Sequence, residues 1–240
     1  PVLDNLVNQL AVLSRQGRRV VLVSSGAVAA GRTALKKLPG EPAAVGLSGK
    51  QAAAAVGQGR LMHLYDNAFA ERGILTAQVL LTRDDLKNRT RFLNIRNTFS
   101  ELLNWGVIPV VNENDTVSVE QIRFGDNDTL AALVACLVQA DVCVIFSDID
   151  GLYTANPHTH PDAKLIPLVE DITPEVMALA DGAGSALGTG GMSTKLRAAR
   201  MVTSSGADMV IANGAHPELL YDIAEGRAAG TRFAAHRQEA

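Results

Sequence analysis

Strand-length apolar runs alternate with helical patterns along nearly the whole chain, and this alternation constrains the fold more than any other feature. The runs are Arg19–Val23, Ile74–Leu81, Val107–Val111, Val142–Phe146 and Met209–Ala212. Between them lie a small-residue helix through Ala30, a long helical pattern from Lys50 to Glu71, and another from Asp84 to Trp105 with Thr82 as its N-cap. An apolar helix then runs from the Asp126-Asn127-Asp128 cap to Val138, a short one begins near Thr173, and another spans Thr194–Ser204. Buried strands separated by helices predict an α/β fold: an open, mostly parallel sheet sandwiched between helices, α/β/α. Residues 116–124 alternate as a hairpin excursion, and 149–170 read as loop and short hairpin. No repeat or low-complexity linker divides the chain, so residues 1–240 read as one domain.

Composition removes several classes of function. A net charge of −3 gives no basic surface for nucleic acid or membrane, and 4% aromatic residues leave few platforms for stacking bases. Cys136 and Cys143 lie in apolar surroundings without metal spacing and read as reduced core residues of a cytoplasmic protein. His158 and His160 have no companion ligands, and Ser25 lacks the Gly-x-Ser-x-Gly setting of a hydrolase nucleophile.

Ligands of open parallel sheets bind beyond the carboxyl ends of the strands. The strands here end in Ser24-Ser25-Gly26, Asn112-Glu113-Asn114-Asp115, Ser147-Asp148 and Asn213-Gly214. Together with Asp126-Asn127-Asp128, the 112–115 cluster is suited to Mg²⁺ or to an amino acid's ammonium group; turn formation and helix capping use the same residue types.

Gly188-Thr189-Gly190-Gly191-Met192-Ser193-Thr194-Lys195 packs glycines, hydroxyls and a lysine just before a helix. Backbone N–H groups, a helix dipole and a full charge converge there, as phosphate binding requires. The order differs from the P-loop, where the lysine precedes the hydroxyl. A capped helix start has the same composition.

These segments resemble the amino acid kinase family, and within it the members that phosphorylate glutamate. The resemblance is carried by Val23–Gly31, Lys50–Gln58, Leu80–Arg83, Arg91–Asn94, Pro109–Asp115, Gly125–Asp128, Ser147–Thr154 and the glycine segment, in order. It implies transfer of the γ-phosphoryl group of Mg²⁺-bound ATP to the γ-carboxylate of L-glutamate, the first step of proline synthesis. By resemblance, Ser25, Asp115 and Asn127 bind glutamate. Ser147, Asp148, Thr189, Gly190, Gly191, Met192, Ser193, Thr194 and Lys195 bind ATP. Lys195 stabilises the transferring phosphoryl group, and Asp128 orients a lysine or the Mg²⁺ shell. Proline feedback, a homodimer or homotetramer, and a downstream glutamyl phosphate reductase are further implications, with neither nucleic acid nor membrane as partner.

The family begins with a strand bearing a Lys-Gly-Ser/Thr turn, whereas Pro1-Val2-Leu3 runs straight into an amphipathic helix, so the expected domain lacks that strand. A PUA domain found in many members is not expected within residues 1–240. Ser147 and Asn156 stand where many members have Thr and Asp. Relatives acting on N-acetylglutamate, aspartate, carbamate or uridylate are the alternatives within the family, and a catalytically silent binding module is the alternative outside it.

Overall fold

The computed structural model describes residues 2–40, 45–118, 127–157, 159–181 and 191–236. Its contacts divide the chain into two compact units, Leu10–Asn127 and Pro1–Gln9 with Asp128–Ala240.

In the Leu10–Asn127 unit, β1 (Leu22–Val23), β2 (Thr76–Leu81) and β3 (Ile108–Glu113) form a parallel sheet in the order β1-β3-β2. Its helices are the latter part of α1 (Val2–Arg15), then α2 (Ala27–Leu35), α3 (Gly46–Ala70), α4 (Arg83–Lys87) and α5 (Arg89–Asn104). Phe69, Phe99, Ile108, Val110 and Val111 are almost completely buried. Burying each is worth roughly 1.5–3 kcal/mol over leaving it exposed.

Two glycines allow α2 and α3 to touch backbone to backbone. A Cβ on Gly31 would sit inside the Ala53 carbonyl, and one on Gly57 inside the Ala27 carbonyl. The position that weakens α3 as an isolated helix is thus what lets it pack.

The pattern from Asp84 to Trp105 is two helices rather than the single one expected. Thr82 does cap the first, in a capping box with Asp85. Asn88 then leaves helical geometry (φ −80°, ψ 118°), and its side chain accepts from the Arg91 amide to start α5. A residue that caps well competes with continuing the helix.

In the other unit, α6 (Asn127–Val138), from its second residue on, leads to β4 (Val142–Ser147), β5 (Leu168–Val169), α7 (Pro174–Asp181), α8 (Met192–Ser204), β6 (Asp208–Asn213), α9 (Leu219–Ala224) and β7 (Thr231–Phe233). The sheet order is β4-β6-β7-β5, parallel except for the β6–β7 pair. Strand β6 is covered on both faces. Met209 and Ile211 pack with Leu196, Val202 and Phe233, while Val210 and Ala212 pack with Ile223. That explains its unbroken apolar run. Met209–Ala212 was expected as the final strand, but β7 follows and pairs antiparallel to it. The 149–170 excursion contains β5 and an isolated bridge between Tyr153 and Leu165. Thr231 Oγ1 ties this excursion down, accepting from the Leu152 amide at 2.8 Å and donating to the Ile166 carbonyl at 2.6 Å.

Candidate active site

The expected site residues form two groups, one in each unit. In the Leu10–Asn127 unit, β3 extends further than expected, so Asn112 and Glu113 belong to the strand and are buried. Such polar groups require partners. Asn112 Oδ1 accepts from the Glu113 amide at 2.8 Å and from Asn127 Nδ2 at 3.2 Å. Asn112 Nδ2 donates to Gln58 Oε1 at 2.9 Å. Asn127 Nδ2 also donates to the Ser24 carbonyl at 2.6 Å. Ser24 is itself buried, with its hydroxyl 3.1 Å from the Tyr65 hydroxyl.

Ser24, Asn112 and Asn127 are therefore brought together at the strand ends. Ser25 is exposed beside Gly26, whose φ of 98° only glycine adopts without strain, and Gly26 opens α2 without a side-chain cap. Asp115 follows the strand and is half-buried. Gln58, Gln78 and Tyr65 were not anticipated. The glutamine of Lys50–Gln58 was visible as part of a motif, but its link to a residue 54 positions away is tertiary.

In the other unit, α8 begins at Met192 rather than Thr194, with Gly191 as an extended N-cap. That start puts Met192 and Ser193, expected in the loop, into the first helical turn together with Thr194. There the Met192 and Ser193 N–H groups belong to the set that lacks intrahelical acceptors, while the Thr194 amide donates to the Gly191 carbonyl at 3.1 Å. Thr189 and Gly190 lie outside the described residues, as does most of the 116–124 excursion. Lys195, buried on α8, places Nζ 2.9 Å from Asp128 Oδ2, and Thr194 Oγ1 lies 3.3 Å from the same oxygen. Thr194 Oγ1 also approaches the Gly191 carbonyl at 2.7 Å, which closes the turn.

Ser147 ends β4 opposite Asn213 of β6, and its hydroxyl donates to the exposed carboxylate of Asp148 at 3.1 Å. Beside them, Asp150 accepts from Asn213 Nδ2 at 2.8 Å and from the Tyr153 hydroxyl at 2.9 Å. Those two hydrogen bonds hold the Asp150 carboxyl below the usual carboxylate range. Burial and then the Asp150 bond push the Tyr153 hydroxyl upward. This trio was also not anticipated, although Asp150 and Tyr153 lie in a matching motif.

Among the described residues, no three His, Cys, Asp or Glu side chains lie together as a metal cage. A Mg²⁺ ion arriving with nucleotide phosphates and keeping much of its water does not require one. No helix among the described residues is long and apolar enough to cross a membrane.

The pattern of the amino acid kinase family matches residues 1–213. The chain belongs to the amino acid kinase family. Within this family it is 56% identical, over 98% of its length, to a Deinococcus radiodurans protein named glutamate 5-kinase. A protein of that name from Geobacter sulfurreducens is 53% identical over 97% of the chain. One from Clostridium acetobutylicum is 52% identical over 96%. The chain spans 64% and 62% of the first two relatives and 85% of the third.

Among solved structures of similar fold, carbamate kinase from Giardia lamblia bound to AMP-PNP has a TM-score of 0.66 at 17% identity, covering 97% of this chain and 89% of that one. The product complex of T. acidophilum isopentenyl phosphate kinase has a TM-score of 0.62 at 19% identity, covering 95% and 89%. The helix-flanked, mostly parallel strands expected from the sequence are those of the amino acid kinase fold.

Proposed function

We propose that this chain forms the kinase part of an enzyme that phosphorylates the γ-carboxylate of L-glutamate, giving γ-glutamyl phosphate and ADP. The observation that carries the reading is its identity of 52–56%, across nearly its whole length, with relatives named glutamate 5-kinase. The chemistry of both residue groups supports it.

A γ-carboxylate is ionised near pH 7, so its oxygen attacks the γ-phosphorus without a general base. One phosphorus–oxygen bond forms, the bond to the β-phosphate oxygen breaks, and ADP leaves with the electron pair. The remaining difficulty is electrostatic, because two anions must meet and charge develops on the transferred group. Lys195 supplies positive charge in a partly desolvated setting, where it is screened far less than in water. Asp128 fixes its position. The glycine-led N-terminus of α8 adds oriented N–H groups to the same task, and Ser147 and Asp148 belong to the nucleotide side. Ser25, Asp115 and Asn127 take the amino acid. Mg²⁺, bound to the phosphates, supplies further charge neutralisation.

The acyl phosphate product is labile, which favours prompt consumption by a reductase. Proline feedback, self-association and a cytoplasmic location belong to the same reading. Hydroxylamine traps acyl phosphates, so the full-length protein given ATP, Mg²⁺ and glutamate is expected to accumulate a glutamyl hydroxamate. ADP formed without hydroxamate would contradict the carboxylate as acceptor.

A further inference from the structure

The amides around Asn127 form a chain whose orientation is set by two backbone groups. The Ser24 carbonyl only accepts, so the Asn127 atom 2.6 Å from it is Nδ2. The Glu113 amide only donates, so the Asn112 atom 2.8 Å from it is Oδ1. The second hydrogen of Asn127 Nδ2 goes to that same Oδ1. Asn112 Nδ2 then faces Gln58 Oε1, and Gln58 Nε2 donates to Gln78 Oε1 at 3.1 Å. Ser24 and Asn112 are 4% and 3% exposed, so a reversed amide would set donor against donor with little water to intervene. Each amide from Asn127 to Gln78 has a single orientation that satisfies all of these bonds.

We infer that Asn112, held by Gln58, is a positioning residue that fixes the Asn127 amide with Oδ1 as the acceptor it offers to the substrate's ammonium group. The inference rests on the proposed function, in which Asn127 contacts the amino acid. Among the described residues, both N–H groups of Asn127 are committed to Ser24 and Asn112. What Asn127 offers a ligand is therefore acceptance. Of the three charged groups on glutamate, only the ammonium donates. A site built to bond a substrate N–H rejects analogues lacking it, because its own polar group is then left unpaired. Asn112 thereby acts on specificity without touching the substrate.

The test compares kcat/KM for glutamate and for glutarate, the same dicarboxylate without the ammonium group, in the full-length protein. Wild type is expected to favour glutamate, since a hydrogen bond to a charged group is worth roughly 10- to 100-fold. Asn112→Leu removes the acceptor that holds Asn127, and the glutamate-to-glutarate ratio is expected to fall about tenfold. Asn112→Asp keeps that acceptor, because Gln58 and Gln78 can turn over to donate, and the ratio stays near wild type. If Asn112→Leu does not fold, Gln58→Leu is held to the same fall in ratio. Equal losses on both substrates, or an Asn112→Asp ratio as low as that of the leucine variant, overturn the inference. Wild-type protein that turns over neither dicarboxylate overturns the functional reading and the inference with it.

Discussion

Lys195 Nζ and Asp128 Oδ2 are 2.9 Å apart, with side chains only 10% and 15% exposed. They lie 67 positions apart in sequence. One is on the first turn of α6 and the other on the first turns of α8, so the pair exists only once this unit has folded. A lysine held this way is ordered before any ligand arrives, which suits the phosphoryl-stabilising role proposed for Lys195.

Removing either partner is expected to act mainly on turnover. Lys195→Ala should lower kcat by roughly 10²- to 10³-fold, the range for loss of one charge-stabilising donor, with a smaller change in the KM for glutamate. Asp128→Asn removes the carboxylate charge 2.9 Å from the buried ammonium and should also lower the melting temperature. Steady-state kinetics and thermal unfolding together check this. Normal kcat in Lys195→Ala with a raised glutamate KM would overturn the role proposed for Lys195.

Two glycines of the same helix are expected to respond with opposite signs. Gly57→Ala drives a methyl into the Ala27 carbonyl, and overpacking of this kind costs about 1–3 kcal/mol or more. Gly59 is exposed, with nothing within 4 Å of where its Cβ would lie, so Gly59→Ala should stabilise by about 0.5–1 kcal/mol through helix propensity. Denaturant unfolding of both variants measures the contrast.

These two positions also show where sequence reading stops. Both glycines read as weak points of one helical pattern, and nothing local distinguishes the one that touches α2. The helix–strand alternation was legible because unbroken apolar runs such as Met209–Ala212 stand out against the helical patterns between them. Asn88 was not legible as a break, since its capping bond to the Arg91 amide competes with a pattern that continues on either side. Strands β5 and β7 have two and three residues and owe their existence to partners, with Phe233 pairing Met209 and Val169. In the candidate site, the polar strand ends were legible by type and place. The amide chain from Asn127 to Gln78 was not, because each link joins residues far apart in sequence.

Asp85 links the start of α4 to pH. Burial alone would raise its carboxyl, but hydrogen bonds from the Thr82 hydroxyl and amide and from Arg91 outweigh it and hold the group below its ordinary value. A depressed folded-state value means the stabilisation is present above the unfolded value of about 3.9 and is lost as pH falls through the folded one. Asp85→Asn should therefore be less stable than wild type at pH 7, with the gap closing below about pH 4. Chemical denaturation at several pH values follows this. A gap that widens in acid would contradict the arrangement.

The two cysteines should differ in reactivity. Burial foremost, with the Cys136 and Asp128 charges adding to it, pushes the Cys143 thiol up to about 12. Cys136 is only partly buried. Because the thiolate is the nucleophile, alkylation of folded protein at pH 8 should label Cys136 while sparing Cys143. Mass spectrometry of the labelled peptides reads the outcome, and prior unfolding should make the two equal.

In the proposed function, an amino acid's side-chain carboxylate receives the γ-phosphoryl group of ATP. The most direct test of this transfer is ADP release by the full-length protein with Mg²⁺·ATP and, separately, glutamate, aspartate or N-acetylglutamate. Release is expected to depend on glutamate, to saturate with it and to be far slower with the other two. Equal release with aspartate or N-acetylglutamate, or release indifferent to any of them, would contradict it.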